Sequence, residues 1–414
     1  MRAPQPRALM ISPEFPYPPI SGGTQRSFYL LRALTERYRA DLLTFSEQPQ
    51  PEAEAALEAM GARVHVIRLP YHAKTLGAFI RRNLSRALRG VNPLMDRFSE
   101  RPVRHAVRHH LQTNSYDLIV LEHSWIAHYI DDIRASPNRA ALSVLDAVDV
   151  NSNLWRQYYQ QPARWYHKPA LYRYWRAAEK HERTYLPRFD VVLAISASDA
   201  ADIQRLAPQT TILRVPNGIE VDLSKQPASA DRLPIIGFIG SLDYPPNALG
   251  LGWFLTEIWP QIKPRAPHAQ CLIIGRGAPP KLVQQCQSDE QIRVAGFVPD
   301  LAPYLNRIAV MVVPLRHGSG TRIKILEAWA HGIPVISTSK GAEGLDYTHM
   351  ENIWIADTPN DFATAVVYLL SDATLRERLS RAAFQHVQQY AWRAIGQHLV
   401  DQLDHYQVNR PVRQ

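Results

Sequence analysis

The run Pro314-Leu-Arg-His-Gly-Ser-Gly-Thr-Arg-Ile-Lys-Ile-Leu-Glu-Ala-Trp-Ala-His-Gly-Ile-Pro-Val-Ile-Ser337 holds the residues best suited to chemistry. An apolar, strand-like run ends at Pro314, and a loop carrying Gly318, Ser319 and Gly320 leads into a helix expected to begin near Thr321. Gly332 and Pro334 stop that helix. Free N–H groups at a helix start and the positive end of its dipole attract anions, and glycines let the backbone approach a phosphate closely. Arg322 and Lys324 fall in the expected first turn, where cations oppose the dipole unless an anion such as a diphosphate sits among them. Glu327, further along, is unsuited to phosphate but can accept bonds from two neighbouring hydroxyls, as on a ribose. The plainer alternative is an exposed charged face with i, i+3 pairing, over a buried side of Ile323, Leu326 and Ala330.

Three further glycine-bearing loops each follow a strand-like run. They are Gly240-Ser-Leu-Asp-Tyr-Pro-Pro-Asn247, Gly275-Arg276-Gly277 and Gly296-Phe297-Val298-Pro299-Asp300. Each alone could be an ordinary turn; together they are expected to converge on one sheet edge beside the loop before Glu327.

The elements that must position these residues alternate along the whole chain, which predicts α/β layers built on parallel sheets. In the first half, strands are expected at Ala8–Ile11, Ala40–Phe45, Val64–Arg68, Leu118–Leu121, Ser143–Asp146 and Val191–Ile195, with helices such as Gln25–Arg37 and Ala170–Leu186. The turn Val215-Pro-Asn-Gly218 and the polar segment Lys225–Leu233 read as a hinge. The pattern then restarts, with strands at Ile235–Ile239, Gln270–Ile274, Ile292–Ala295, Val310–Pro314 and Pro334–Ser337. Helices are expected at Gly250–Ile262, Leu301–Leu305, Thr321–Ala330, Phe362–Leu370 and Trp392–Leu403. The 414-residue length also calls for two domains. Their expected spans are residues 1–222, with 388–414 crossing back, and residues 223–387. Two doubly wound domains facing a cleft would bind ligands at the carboxyl ends of their strands.

Composition narrows the class. A hydrophobic share of 46% with 21% charged residues is that of a soluble globular chain. No apolar run approaches the roughly 20 residues of a membrane span, and the start does not read as a signal peptide. With Cys271 and Cys286 as the only cysteines, a disulfide framework is excluded and a cytoplasmic setting expected. The net charge of +9 is concentrated in the first half. Between Lys74 and His110, eight arginines interleave with Leu76, Phe79, Ile80, Leu84 and Leu88. Such a stretch suits an anionic membrane surface or a phosphorylated acceptor, with a solvated helix face as the alternative. No aromatic stacking set or reader motif accompanies it, so nucleic acid is not an expected partner. No Asp-x-Asp stands in a loop position and no His/Glu cluster suggests a metal, so neither metal nor cofactor is expected.

The phrases RVPNGIEVD, IGFIGSLDYPPNALGLGWFLTEIWPQI, CLIIGRGAP, IRVAGFVPDLAPYL and VPLRHGSGTRIKILEAWAHGIPVISTSKGAEGL span Arg214 to Leu345. In order and spacing they resemble the retaining glycosyltransferases of family 4, which have the GT-B fold of two Rossmann-like domains. More loosely, PPISGGTQRSFYLLRAL (Pro18 to Leu34), SVLDAVDVNSNLWRQY (Ser143 to Tyr158) and Glu179 to Asp199 resemble a branch associated with exopolysaccharide loci. The resemblance implies a nucleotide-sugar substrate on the second domain and a glycan or lipid-linked acceptor on the first, with retention at the anomeric carbon. It implies that Glu327 holds the ribose and the amides of Gly320 to Arg322 the diphosphate. Phe297 and Val298 would flank the base, and Gly22 and Gly23 would approach the phosphate from across the cleft.

Three departures from the family pattern stand out. Ser319 occupies the first of two glutamate positions eight residues apart. Ser241 and Asn247 stand at or near places where the first donor-domain loop usually has arginine and lysine, a charge that Arg322 and Lys324 could replace. The usual histidine after the central strand of the first domain is absent. There the chain reads Asp146-Ala-Val-Asp149, making Asp149 the substitute candidate and His123, after Leu118–Leu121, another. The expected function is therefore metal-independent sugar transfer, with Arg322, Lys324 and the loop amides stabilising the leaving diphosphate. The alternatives are a catalytically weakened subunit of a polysaccharide assembly complex, or a non-transferase GT-B enzyme such as a nucleotide-sugar epimerase. A nicotinamide enzyme is disfavoured, because no G-x-G-x-x-G follows the first strand.

Overall fold

The computed structural model describes residues 5–70, 75, 77, 81–82, 84–86, 93–160, 167–220, 232–318 and 322–409. The chain divides into two compact units, Met1–Pro216 with Ile395–Gln414, and Asn217–Ala394. Each unit is built on a sheet whose described strand pairs are all parallel.

In the first unit the strands are β1 (Arg7–Ser12), β2 (Arg39–Ser46), β3 (Arg63–Arg68), β4 (Leu118–Glu122), β5 (Leu142–Asp146), β6 (Val191–Ala194) and β7 (Thr211–Arg214), in the order β3-β2-β1-β4-β5-β6-β7. In the second they are β8 (Ile235–Ile239), β9 (Gln270–Ile274), β10 (Ile292–Gly296), β11 (Val310–Val313), β12 (Val335–Ser337) and β13 (Trp354–Ile355), in the order β10-β9-β8-β11-β12-β13. The second order is the doubly wound nucleotide-binding pattern, and the first extends it by one edge strand.

These strands form because their side chains can be buried on both faces, as parallel sheets between helices require. Along β8, Ile236 and Phe238 enter one core cluster while Ile235 and Ile239 enter another on the opposite face. In the first unit Leu9, Ile11, Ile119, Leu121, Leu145 and Val192 enter one core cluster, while Ala8 and Met10 of β1 are buried on the opposite face. Strands β7 and β13 were not expected from the sequence. The first is a half-exposed edge of four residues and the second only two residues long, so neither carries the buried apolar run that marks a central strand.

Two helix starts differ from expectation in ways that matter for the site. The helix expected at Gly250–Ile262 begins at Pro245, because Pro245 and Pro246 fit the first turn, where a missing N–H costs nothing. It passes through a π turn at Phe254–Ile258 just before Pro260, whose nitrogen has no hydrogen to donate, and ends with Trp259–Ile262. The helix expected to start near Thr321 is Ile323–Ala330, with Arg322 as its non-helical cap. Its buried side is Ile325, Leu326, Ala328 and Trp329, while Ile323 and Ala330 are only half-buried.

The first unit contains the segment Ile395–Gln414. There Asp404 accepts hydrogen bonds from Arg37 Nε (2.9 Å) and Tyr38 Oη (2.8 Å), and Gly396 packs on Ala33. Among the described residues no helix is long and apolar enough to cross a membrane. Much of the basic stretch expected between Lys74 and His110 lies outside the described residues. The described part is less free than its composition suggests. Arg86 pairs with Asp96, Arg97 with Glu47, and Arg104 and Arg108 both with the buried Asp132. On the helix Arg101–Thr113 the apolar face of Val103, Val107 and Leu111 is buried in the unit's own core.

Candidate functional site

In the second unit β8 and β11 are neighbours, and the chain winds away from them in both directions. Helices then leave opposite faces of the sheet, opening a crevice beyond the carboxyl ends of these two strands. The loop after β8 and the loop before Ile323–Ala330 both lie at that point. Backbone contacts tie the glycine loops together. Gly240 N donates to Ile274 O (2.9 Å), Gly275 N to Gly296 O (2.9 Å) and Leu242 N to Arg276 O (2.7 Å). A Cβ on Gly275 would lie 1.9 Å from Gly240 O, so no side chain fits there. Gly318, at φ +109°, packs against Pro246 and the Tyr244 hydroxyl, bringing the loop after β11 onto the helix after β8.

Lys324 lies at the centre of this arrangement. Its Nζ donates to Asn247 Oδ1 (2.7 Å) and stands 5.0 Å from the centre of the Phe238 ring. Asn247, in the helix rather than the loop, is buried and holds its own position by donating from Nδ2 to Ser241 O (2.8 Å). Burial, and secondarily the charge of Arg322, push the Lys324 amine down to about 7, while Glu327 pulls the other way. Glu327 sits one turn further along the helix and is pushed up to about 7 by burial, against the pull of Lys324. Its carboxylate makes no hydrogen bond among the described residues. A half-buried acceptor left open beside an ammonium is suited to hydroxyl donors from a ligand.

Several expected contacts are placed differently. Arg322 is buried, and its guanidinium donates to Gly318 O (3.1 Å) and Lys340 O (3.2 Å). Because Arg322 caps the helix instead of entering its first turn, its side chain folds back to brace the loop. The Ser241 hydroxyl donates to Asp243, whose carboxyl is held low first by that bond and less by Arg276, 3.5 Å away. Val298 packs into the core, leaving Phe297, 69% exposed, as the open aromatic of its loop. Ser319, Gly320 and Thr321 lie outside the described residues. Asp243 is a residue that sequence reasoning passed over, although it stands between Gly240 and Asn247.

In the first unit the corresponding switch point lies between β1 and β4. Gly22 and Gly23 open the helix Gly22–Arg37, capped by Ser21, which accepts from Thr24 N. A Cβ on Gly23 would find only Glu14 Oε2 at 3.9 Å, so space does not demand glycine there. At the ends of β4 and β5 two non-glycine residues adopt positive φ, His123 (+71°) and Val148 (+55°). Such strain collects at functional sites, and for a β-branched residue it is a genuine outlier. His123 stacks face to face on Trp125, with ring centres 4.1 Å apart. Burial, partly opposed by Asp146, pushes its imidazole down to about 4, so it is neutral near pH 7. Asp149 is half-buried in the same turn, its N–H donating to Ala147 O (2.6 Å).

Beside them lies a pair not anticipated from the sequence. Arg26 is fully buried and grips Asp146 with two bonds (2.6 and 2.8 Å), while Nη1 donates to Val215 O (2.9 Å) and Pro216 O (3.3 Å). Glu122, also fully buried, accepts from Ser27 and is pushed up to about 8, first by burial and then by Asp146. A signal for Arg26 was available: it lies four and eight residues before Leu30 and Leu34, on the buried stripe of its helix.

Residues 233–372 match the family described as Glycosyl transferases group 1. A phosphatidyl-myo-inositol mannosyltransferase of Mycobacterium leprae is 28% identical over 221 residues, 51% of this chain and 58% of that protein. An uncharacterized 44.6 kDa protein in the cps region of Klebsiella pneumoniae is 24% identical over 37% of this chain and 41% of its own. The chain thus spans about half the length of these curated relatives. Among solved structures, Anabaena Alr3699/HepE in complex with UDP and glucose superposes with a TM-score of 0.66 at 14% identity, covering 96% of this chain and 99% of that one. Within the second unit, residues 233–372 are thus similar to the group 1 glycosyl transferase family, in a chain with the GT-B fold.

Proposed function

We propose that the chain is a retaining, metal-independent glycosyltransferase that moves a sugar from a nucleotide-sugar donor to a hydroxyl of a glycan or lipid-linked acceptor. The observation that carries this reading is the open cluster of Lys324, Glu327 and Asn247 against the touching loops of Gly240 and Gly275. Lys324 supplies a cation where a diphosphate would sit, and the open Glu327 carboxylate accepts from ribose hydroxyls. Fixed positive charge and loop amides stabilise the departing diphosphate without reorganisation, which is the role a metal ion would otherwise fill. Arg322 contributes by holding the carbonyls of Gly318 and Lys340, and so the shape of the loop. His123 and Asp149 are the first unit's candidates for contact with the transferred sugar. Retention follows from the family 4 resemblance, and the cps-region relative supports a place in exopolysaccharide synthesis.

A thermal-shift screen of UDP-, GDP- and ADP-sugars tests the donor reading. One donor should raise the melting temperature in a concentration-dependent way. Its turnover with an acceptor should persist in EDTA and give an α-linked product from an α-donor. No stabilisation by any nucleotide sugar defeats the transferase reading. Activity lost in EDTA and restored by magnesium or manganese defeats its metal-independent part.

A further inference from the structure

The first unit contains a shallow, open pocket of about 70 Å3 that the donor site does not use. It is lined from three helices, Asn151–Gln160, Lys168–Tyr185 and Ala197–Leu206, and its chemistry is that of Arg156, Trp175, Arg183, Arg205, Glu179 and Asp202. The two acids are already engaged. Glu179 accepts from Arg176 (2.5 Å) and Arg183 (3.1 Å), while Asp202 accepts from Arg205 and Asn153. Arg156 donates to Asn153 Oδ1 (2.5 Å), and among the described residues no carboxylate pairs with it. The pocket therefore holds an uncompensated guanidinium, half-buried and preorganised by an amide.

One wall is aromatic. Trp175 is half-buried, with Tyr172 edge-on at 5.8 Å and Tyr159 tilted at 5.9 Å fixing its plane. A flat indole beside planar, multiply bonding groups matches a pyranose, which offers an apolar C–H face and a rim of hydroxyls. A nucleobase would also stack, but the surplus of fixed cations over free acceptors selects a sugar that carries its own negative charge.

We propose that this pocket binds an anionic saccharide residue, a uronate or a sugar phosphate, with Trp175 under the ring and Arg156 at the anionic group. Counting that saccharide as part of the acceptor rests on the transferase reading; the pocket's binding chemistry does not. Calorimetric titration of the full chain tests it, with methyl β-glucuronide, glucose 1-phosphate, methyl β-glucoside and inorganic phosphate as probes, each with and without excess UDP. The glucuronide or glucose 1-phosphate should bind at least about tenfold more tightly than the glucoside and than phosphate, and UDP should not displace it. Whichever of the two anionic sugars binds names the source of the charge. Arg156→Gln should cost about tenfold and level the anionic and neutral sugars, whereas Trp175→Ala should weaken both kinds together. Both variants should leave UDP binding unchanged, and melting curves check that they fold. Equal binding of charged and neutral sugars, phosphate binding as well as the sugars, displacement by UDP, no binding, or both variants behaving as wild type each overturn the proposal. Where the thermal-shift screen selects GDP or ADP, that nucleotide replaces UDP as the competitor, and failure of all three to bind counts instead against the donor site.

Discussion

Replacing Lys324 with Met separates the proposed donor site from a structural charge cluster through its effect on protons. In the free protein the Lys324 amine is pushed down to about 7 by burial. A bound diphosphate supplies opposite charge and returns it toward its ordinary value, so above pH 7 binding must take up a proton. Recharging the amine costs about 1.4 kcal/mol at pH 8 and about 2.7 kcal/mol at pH 9, at 1.36 kcal/mol per unit. Affinity for the nucleoside diphosphate should thus fall about tenfold between pH 8 and pH 9. In this window the Glu327 carboxyl, titrating near 7, is already ionised, as is the terminal phosphate of the ligand, so the slope isolates the lysine. Lys324→Met should lower affinity at pH 7 by roughly 10- to 100-fold, the worth of a charge-assisted contact, and abolish the slope. The folded protein should not suffer, because removing a buried amine also removes its desolvation. Below pH 7 that amine is charged in both states and its burial penalty is full; the penalty fades as pH rises toward 10.5. Calorimetry at pH 8 in two buffers of different ionisation enthalpy counts the protons directly. Uptake close to zero in the wild type, or the same uptake in Lys324→Met, would refute the assignment of Lys324 to the diphosphate.

Glu327→Gln should weaken nucleoside diphosphate binding about tenfold and leave inorganic pyrophosphate binding unchanged; an equal loss for both ligands would move Glu327 away from the ribose. Gly275→Ala places a methyl 1.9 Å from Gly240 O, so the loops must separate, and a loss of about 1–3 kcal/mol should appear in the urea midpoint. Glu122 is pushed up to about 8, so from pH 4.5 to 8 its ionisation favours the unfolded chain and stability falls as pH rises. Glu122→Gln should flatten that decline by about 1.4 kcal/mol per pH unit, measured from urea midpoints at pH 5 to 8; an unchanged slope would contradict a protonated Glu122.

The second unit was legible in sequence because its strands are apolar runs cut off by glycine loops, and β8 and β9 run over the residues expected of them. The doubly wound order, however, comes from pairing. That β8 joins β11 across 70 residues of chain leaves no local trace, yet it is what brings Gly240 and Lys324 to one place. Legibility failed where side chains choose among partners. Arg322 and Lys324 look alike in sequence as two cations at a helix start, but Arg322, as the non-helical cap, turns toward backbone carbonyls, and Lys324, in the first turn, reaches Asn247. Asn247 itself was expected in the loop after β8, whereas Pro245 and Pro246 open a helix that contains it, proline being favoured in a first helical turn. Arg26 and Asp146 escaped notice because a buried pair is two ordinary charges until the fold joins residues 120 apart.

The return of Ile395–Gln414 to the first unit has a consequence for synthesis. A ribosome releases the chain from its beginning, so the second unit, one unbroken segment, is complete before the first has received its last piece. Until then Tyr38 and Arg37 lack the carboxylate of Asp404, and Ala33 lacks the cover of Gly396. The part made first is thus the part finished last, and a released chain truncated after Ala394 should show a protected second unit and a protease-sensitive first one.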